Sequence, residues 1–482
     1  MTAAMEDMAF DAILPEIVLL AGLVANLIVG LFLPRRRQWL VAVGAAATLV
    51  AAIVATLAVS PAEQPVFAGT IAADRVHDFA RIVILAGALA VVALAFNPVR
   101  GHAREAEFHV LLLFSALGAT ILAGATDLML VVVAYLLSSV PLYTLTAFDK
   151  TPKSTEAAMK FLLMGAFLGV TMLYGFAFLY GAGGATAYGE LATGLDPRLR
   201  GALIVGTVGA LAGFAFKLGA VPAHFWVPDV TAGAPIAVAA YVTTIPKVAA
   251  LVALARLVSL LPPEAVNWPL AIALLAAISM TLGNLAAFWQ ETPRRLLAYS
   301  TIAQIGYMLM AVAVLGRSEM ALSGLLFYVT AYAAMNLGAF AAVAAVPQAE
   351  RLDAYAGLAR NRPALAAALA VCLLSLIGIP PLGGFVGKLI VFAAAWEGGF
   401  AWLVLIGVVN TVLSVFYYFR WIALMFGRAT APEASDGKAA RHFTPGAVAI
   451  GAALLTLFLG IGAQWILSPL DLAQLADAPV AE

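Results

Sequence analysis

Long uninterrupted apolar segments constrain this chain more than any other feature of its sequence. A helix needs about 20 apolar residues to cross a hydrocarbon core about 30 Å thick. The 482-residue chain contains fourteen such segments. They lie at 12–33, 38–59, 79–97, 107–125, 127–148, 155–181, 201–220, 233–260, 268–290, 295–316, 319–346, 363–396, 400–427 and 446–467. These runs are continuous rather than alternating, so they predict an all-α polytopic membrane protein and not a β-barrel.

The composition excludes several other classes of protein. Hydrophobic residues make up 64% of the chain and charged residues only 11%, against about 25% charged in a soluble domain. Basic and acidic residues number 26 each, so no basic excess favours a nucleic-acid partner. The single cysteine, Cys372, lies in an apolar run and cannot supply an internal disulfide or a thiolate metal centre. The first span follows an acidic start and is too long for a cleaved signal sequence.

Basic residues outside the spans predict the orientation. The even-numbered connections are assigned six, namely Arg75, Arg81, Arg198, Arg200, Arg256 and Arg317. The odd-numbered connections are assigned fifteen, namely Arg35, Arg36, Arg37, Arg100, Arg104, Lys150, Lys153, Arg294, Arg295, Arg351, Arg360, Arg362, Arg428, Lys438 and Arg441. Since cytoplasmic loops are enriched in lysine and arginine, both termini are expected outside the cytoplasm.

Basic residues inside the spans are candidates for function, because an ionisable group in the bilayer costs several kcal/mol on insertion scales, about 3 for lysine. Lys217, Lys247 and Lys388 each have long apolar stretches on both sides, which makes snorkelling to the surface difficult. Lys160 lies in the first turns of span six, four residues after Glu156. That pair is either a helix-surface contact or the entrance to a proton path.

Two of these lysines adjoin predicted helix breaks. Gly219, Pro222 and Pro228 interrupt the segment that follows span seven, next to Lys217. The sequence IGIPPLGGFVGK (377–388) interrupts span twelve, next to Lys388. Proline removes a backbone donor and clashes with the preceding turn, so both helices should be discontinuous. Free backbone groups at membrane depth are tolerated only inside protein or against water.

The positions of the two breaks predict a duplication. Each falls in the fourth helix of a five-helix unit, and a unit with an odd number of helices must begin its second copy on the opposite membrane face. We therefore expect two inverted repeats with a transport site at the breaks. The predicted divisions are three N-terminal helices at 1–106, repeats at 107–260 and 261–427, and a C-terminal loop and helix at 428–482.

A lysine buried in apolar surroundings has a lowered pKa and can exchange a proton near neutral pH. Lys217, Lys247, Gln304 and Lys388 fall on spans seven, eight, ten and twelve, which predicts a lateral proton relay at mid-membrane depth. His224 is either a relay member or a helix-end cap. Asp229 is expected to cap span eight together with Thr231. Spans five to thirteen lack the central carboxylates that sodium transport would require.

The motifs resemble those of a known family. They are FKLGAVPAHFWVPDVTAGAP (216–235), IPK (245–247), LLAYSTIAQIGYML (296–309) and IGIPPLGGFVGK (377–388). They are similar to the antiporter-like membrane subunits of respiratory complex I, the NADH–quinone oxidoreductase, over roughly 107–427. The sequence PDV…GAP and the lysine at 247 resemble its N subunits more than its L and M subunits.

This resemblance implies a fourteen-helix, proton-translocating and non-redox subunit of a translocase enzyme in the bacterial inner membrane. NADH, FMN, iron–sulfur clusters and quinone would then be bound by partner subunits, and M-type and K-type subunits would be neighbours. The resemblance also implies that Lys160, Lys217, Lys247 and Lys388 match the family's membrane lysines. Two positions depart from it. Leu136, in YLLSSVPLY (135–143), stands where the family has glutamate, and Gln304 stands where some members have histidine.

Three alternative functions remain open from the sequence. The chain could belong to an Mrp-type cation/proton antiporter, or to a membrane-bound hydrogenase or formate hydrogenlyase. It could also be a scaffold of the membrane arm, an interpretation that the absence of glutamate at position 136 supports.

Overall fold

The structure is a computed structural model that describes residues 10–59, 65–427 and 443–470. Arg428, Lys438 and Arg441, which contribute to the predicted charge asymmetry, lie outside the described residues. The same holds for 1–9 of the acidic start and for 471–482.

Three helices form the N-terminal unit: α1 (Leu14–Phe32), α2 (Trp39–Ala58) and α3 (Arg75–Val99). A short antiparallel hairpin precedes α3, with β1 (Pro65–Val66) paired to β2 (Ile71–Ala72). The side chain of Asp74 caps α3 by accepting a hydrogen bond from the backbone N–H of His77. Such a cap satisfies one of the free N–H groups at a helix start.

The two units of five spans each follow. In each unit the fourth span is split into two helices, and one further short α-helix is present. The first contains α4 (Glu105–Gly124), α5 (Leu128–Thr146), α6 (Pro152–Gly183), a short α7 (Tyr188–Gly194), α8 (Arg200–Leu218), a short α9 (Trp226–Gly233) and α10 (Ile236–Leu260). The second contains α11 (Trp268–Phe288), α12 (Pro293–Ala313), α13 (Met320–Ala344), a short α14 (Leu358–Asn361), α15 (Pro363–Ile377), α16 (Gly383–Glu397) and α17 (Ala401–Phe426). The chain then forms α18 (Phe443–Ile461) and α19 (Ala463–Leu470).

The predicted all-α membrane fold is confirmed. Thirteen helices of the described part are long and apolar enough to cross a membrane. The remaining predicted span, span twelve (363–396), is present as the two fifteen-residue helices α15 and α16. Both breaks occur where proline and glycine predicted them. α8 is followed directly by Gly219 and α15 by Gly378, with φ angles of +73° and +95°. Glycine adopts this left-handed conformation without the Cβ clash that other residues meet.

The core is built from α10, α12 and α13. In each, 94% of the most apolar window is buried inside the protein. Helices that are apolar on all sides occupy such central positions, because every face contacts protein rather than solvent. In the outer helices α1, α6 and α17 only 33%, 28% and 33% of that window is buried. The central helices are the ones that carry Lys247 and Gln304.

The prediction that Arg81 and Arg256 lie in connections between spans is wrong. They lie inside α3 and α10 and are only 1% and 2% exposed. Both side chains form ion pairs with carboxylates, which is how buried arginines are accommodated in apolar surroundings.

Candidate functional site

Lys217 lies in the last turn of α8, buried against α5. Its Nζ donates hydrogen bonds to the hydroxyls of Ser138 and Ser139 and, at 3.3 Å, to the carbonyl oxygen of Tyr135. The ammonium also lies 4.9 Å from the centre of the Tyr135 ring, a distance at which the ring face attracts a cation. Neutral oxygens and a ring therefore replace water around this lysine.

Leu136 does not line this site. Its side chain is 48% exposed, whereas Tyr135, Ser138 and Ser139 of the same helix face Lys217 and are buried. Position 136, where the resemblance implies a glutamate, does not face Lys217, because Tyr135, Ser138 and Ser139 make the contacts with its Nζ. Ser138 and Ser139, which sequence reasoning passed over, occupy the place of a partner.

Lys247 lies on α10 and binds the end of the first broken helix. Its Nζ donates a 2.6 Å hydrogen bond to the carbonyl oxygen of Leu218, the last residue of α8. It also lies 5.2 Å from the Trp226 ring centre. The C-terminus of a helix carries partial negative charge and free carbonyls, both of which stabilise a cation there.

Lys388 occupies the equivalent place at the second break. Its Nζ donates to the carbonyl oxygens of Leu376 and Ile377 at 3.1 and 2.9 Å. These are the last two residues of α15, so each broken helix ends on a buried lysine. The ring centre of Tyr307 lies 4.3 Å from this Nζ. Lys388 is 3% exposed and does not face lipid.

Gln304 is part of the second break. Its Nε2 donates a 2.8 Å hydrogen bond to Leu376 O, an oxygen that Lys388 also contacts. Its Oε1 accepts a hydrogen bond from the hydroxyl of Tyr328 on α13. An amide has a donor and an acceptor but cannot hold an extra proton. Gln304 can therefore orient neighbours without carrying charge.

Three polar side chains on α13, here called the ladder, lie between the two breaks and were not predicted from the sequence. The ladder consists of Tyr328, Tyr332 and Asn336. Because they are four residues apart, they share one face of the helix. The Tyr332 hydroxyl contacts Thr243 O at 2.6 Å and Thr301 Oγ1 at 3.1 Å. This i, i+4, i+8 spacing of polar residues in an otherwise apolar helix is the sequence pattern from which the ladder could have been predicted.

Asn336 links this ladder to α10. Its Nδ2 donates to the hydroxyls of Thr243 and Thr244 at 3.1 and 2.8 Å. Thr244 is three residues before Lys247, and Thr301 is three residues before Gln304, so each pair shares a helix face. The polar groups form a row from Lys247 to Lys388 that is interrupted by these two one-turn steps, and Lys217 adjoins the row at the end of α8 without a hydrogen bond to Lys247.

A second buried polar cluster lies beyond Lys388, between α11, α12 and α17. Asn284 donates to Tyr307 Oη at 3.3 Å and to Asn410 Oδ1 at 3.1 Å, and accepts from Tyr417 at 2.9 Å. Asn410 in turn donates to Thr281 at 3.0 Å. These contacts fix the Tyr307 ring beneath the ammonium of Lys388.

The remaining predicted residues lie away from this row. Lys160 is an exposed residue whose Nζ contacts Glu156 Oε1 and Asp229 Oδ2, both at 2.8 Å. Asp229 also contacts Arg295 at 3.2 Å. Asp229 does not cap α10, whose start has no side-chain cap, so that expectation is wrong. The carboxylate pairs with two cations instead.

His224 lies in the segment between α8 and α9 and is 5% exposed. Its Nδ1 has no hydrogen-bond partner among the described residues. The structure does not bring it into hydrogen-bond contact with the lysines. Among the described residues there is no group of three His, Cys, Asp or Glu that could hold a metal ion.

The chain matches known proteins over nearly its whole length. Residues 125–414 match the family described as NADH:quinone oxidoreductase/Mrp antiporter, TM. The chain is 50% identical to NADH-quinone oxidoreductase subunit N of Mycobacterium sp. (strain JLS), covering 92% of this chain and 95% of that protein. It is 48% identical to NADH-quinone oxidoreductase subunit N 1 of Streptomyces griseus, covering 95% and 97%.

Solved structures agree with this assignment. A chain of respiratory complex I from Thermus thermophilus with bound aureothin superposes with a TM-score of 0.80 at 33% identity, covering 94% of this chain and 99% of that one. A chain of the Mrp complex from Dietzia sp. DQ12-45-1b superposes with a TM-score of 0.83 at 21% identity, covering 98% and 97%, which shows a shared fold alone. By sequence and fold, the chain belongs to the antiporter-like NADH-quinone oxidoreductase subunit N family.

Proposed function

We propose that this chain is a proton-translocating membrane-arm subunit of a complex I-type NADH–quinone oxidoreductase, and that Lys217, Lys247 and Lys388 carry its protons. The observation that supports this most is the buried polar row that joins the ends of two broken helices. Lateral transfer at mid-membrane depth requires such a row, because isolated polar groups in an apolar interior are costly and cannot pass protons to one another.

The first step of the proposed path links Lys217 and Lys247. Lys247 binds the carbonyl of Leu218, the residue adjacent to Lys217, so both side chains act at the same helix end. Two ammonium groups at one site repel each other, so protonation of one favours release from the other. A cavity of ≈ 10 Å³ beside Lys217, lined by Phe161, Phe216 and Trp226 among others, is at the lower limit for one water molecule.

The middle step crosses between the repeats. Thr243, Thr244 and Thr301 expose hydroxyls to the ladder of α13. Hydroxyl groups both donate and accept, so they can pass a proton by reorientation. The two one-turn steps, Thr244 to Lys247 and Thr301 to Gln304, each span about 5 Å. One water molecule in each would complete the path to Lys388.

The other residues have supporting parts in this proposal. Gln304 holds the acceptor Leu376 O in place for Lys388. The exposed cluster of Lys160, Glu156 and Asp229 is a surface from which the break beside Lys217 can be reached. His224, with a free ring nitrogen in that break, is the candidate that connects the surface to the interior.

The proposal includes the setting of the chain. The excess of basic residues in odd-numbered connections supports a bacterial inner membrane location with both termini on the periplasmic side. By the family membership shown above, NADH, FMN, iron–sulfur clusters and quinone are assigned to partner subunits. Membrane-arm subunits of the M and K types are the proposed neighbours.

Lys247 provides the test. In inverted membrane vesicles driven by NADH, Lys247→Ala should lower the ratio of protons pumped to electrons transferred while the complex remains assembled. Lys247→Arg should not restore the ratio, because guanidinium stays protonated. The exposed Lys153 provides a matched control, and Lys153→Ala should pump normally. A normal ratio in assembled Lys247→Ala complexes would refute the proposed path.

A further inference from the structure

A second group of buried charges lies apart from the row of lysines, where α3 begins. Arg256 of α10 forms a two-pronged ion pair with Asp74, with both N···O distances 2.7 Å. Arg81 contacts Glu16 of α1 at 2.7 and 2.8 Å and Asp78 at 2.7 Å. Arg256 is nine residues beyond Lys247, about 13 Å along the helix. The pairs fasten α3 to α1 and to α10 of the first repeat.

His77 lies in the middle of this charge cluster, fully buried. Its Nδ1 is 2.7 Å from the carbonyl oxygen of Ala72, and its Nε2 is 3.0 Å from the carbonyl oxygen of Thr120 on α4. Nε2 is also 3.8 Å from Glu16 Oε1. Both ring nitrogens therefore face oxygens that accept hydrogen bonds and cannot donate them.

A neutral imidazole carries one N–H and one lone pair. In that form, one of the two carbonyl contacts of His77 would set a lone pair against a lone pair at hydrogen-bond distance. The doubly protonated ring donates to both oxygens at once, so the two distances are satisfied together only by the imidazolium.

The charges of the cluster lead to the same conclusion. Three carboxylates face the ring or its partners: Glu16 from α1, and Asp74 and Asp78 from the start of α3. Only two guanidinium groups, those of Arg81 and Arg256, oppose these three negative charges. That leaves one excess negative charge, and an uncompensated charge in a buried site is strongly unfavourable. Arg75, beside Asp74, is exposed and lies outside the cluster.

We infer that His77 is a proton-binding site, held as an imidazolium that donates to Ala72 O and Thr120 O and makes the cluster of Glu16, Asp74, Asp78, Arg81 and Arg256 neutral. The bound proton then fastens α3 to α1, α4 and α10. Loss of this proton at high pH restores the unbalanced charge and weakens the attachment of the N-terminal helices. This site is separate from the proposed relay, and its test does not depend on proton pumping.

Charge-balanced variants test this inference in the assembled, detergent-extracted complex. The readout is the temperature at which half of the complex loses this chain. With an imidazolium the wild-type cluster is neutral, so His77→Gln leaves it negative and Asp78→Asn leaves it positive, and each should lower this temperature. The double variant is neutral again and should be more stable than either single variant. Asp11→Asn, the same charge change at an exposed position, is the control and should have no effect.

A neutral His77 predicts opposite results. The wild-type cluster would then be negative, Asp78→Asn would neutralise it, and that variant would be as stable as the wild type or more stable. That result overturns the inference even if His77→Gln fails to assemble. A pH series adds a second readout, in which the wild-type stability should fall as the pH rises and that of the double variant should not.

Discussion

Gln304 and Lys388 share one hydrogen-bond acceptor, the carbonyl oxygen of Leu376, at 2.8 and 3.1 Å. This oxygen is free because α15 ends at Ile377 and its last carbonyls have no partner within the helix. The break in span twelve therefore creates the acceptor that holds both side chains. The residue four positions on is Pro380, which has no N–H to donate to this oxygen, so the proline as well as the helix end leaves it open.

The shared acceptor gives the first prediction. Gln304→Leu removes the amide that fixes Leu376 O and leaves the buried Tyr328 hydroxyl without its partner, at a cost of about 1–3 kcal/mol. Lys388 keeps its contact with Ile377 O, so proton pumping should fall only in part. Measured in vesicles, the pumping ratio of Gln304→Leu should lie between those of the wild type and Lys388→Ala. A ratio as low as that of Lys388→Ala would mean that Gln304 is itself an essential relay group.

Lys217 gives the second prediction. Lys217→Ala should strongly reduce coupled pumping because Ser138 and Ser139 then face each other without a proton carrier. Lys217→Arg should not rescue it, since guanidinium does not release its proton near neutral pH. Val208→Ala, on the exposed face of the same helix, is the matched control and should pump like the wild type. A normal proton-to-electron ratio in assembled Lys217→Ala complexes would favour the scaffold interpretation.

The side of α5 that faces Lys217 gives the third prediction. Ser139→Asp places a carboxylate against the ammonium and stabilises its charged form. A higher pH is then needed to release the proton, so the pH optimum of coupled activity should move upward. Leu136→Glu, on the exposed flank of the same helix, should leave the pH profile unchanged. A shift in Leu136→Glu and none in Ser139→Asp would mean that α5 is rotated from the orientation described.

The sequence predicts the spans and the breaks well because each depends on local chemistry. Apolar length sets a span, and the adjacent Pro380 and Pro381 remove two successive backbone N–H groups from a helix. Contacts between helices are a different matter. That Lys247 would bind the end of α8, across 29 residues of chain, depends on how α10 packs, which no local pattern contains. The same holds for Ser139. It contacts Lys217 although it lies one helical turn after position 136, where the resemblance places a carboxylate.

The burial of charged residues outside the row could not be predicted from the sequence either. Arg81 and Arg256 are predicted to lie in connections, although both positions fall within the spans at 79–97 and 233–260. Their burial follows from partners that are distant in sequence, Glu16 at 65 residues and Asp74 at 182. These charges are tolerated in the membrane because they pair with carboxylates in the folded chain, and not because they are exposed.

The ladder on α13 gives the fourth prediction. Asn336→Leu removes both hydrogen bonds to Thr243 and Thr244 and interrupts the middle of the row while leaving all three lysines in place. We expect assembled complexes with normal NADH oxidation in uncoupled membranes and a reduced pumping ratio. Met335→Leu, a neighbouring buried position on the same helix, should have no effect. An unchanged ratio in Asn336→Leu would place the crossing between the repeats elsewhere.

The break in span twelve gives the last prediction. Replacing Pro380 and Pro381 with alanine restores two backbone N–H groups, and each proline costs about 3 kcal/mol in a helix interior. The segment from Ile377 to Gly383 should then approach continuous helix, and the carbonyls of Leu376 and Ile377 should bond within it instead of to Lys388. Proton transfer should fall although the helix itself is stabilised. A density map of the variant complex should show both changes, and Pro98→Ala, inside α3, controls for loss of a proline in a membrane helix. A continuous helix with undiminished pumping would show that proton transfer does not need the open end of α15.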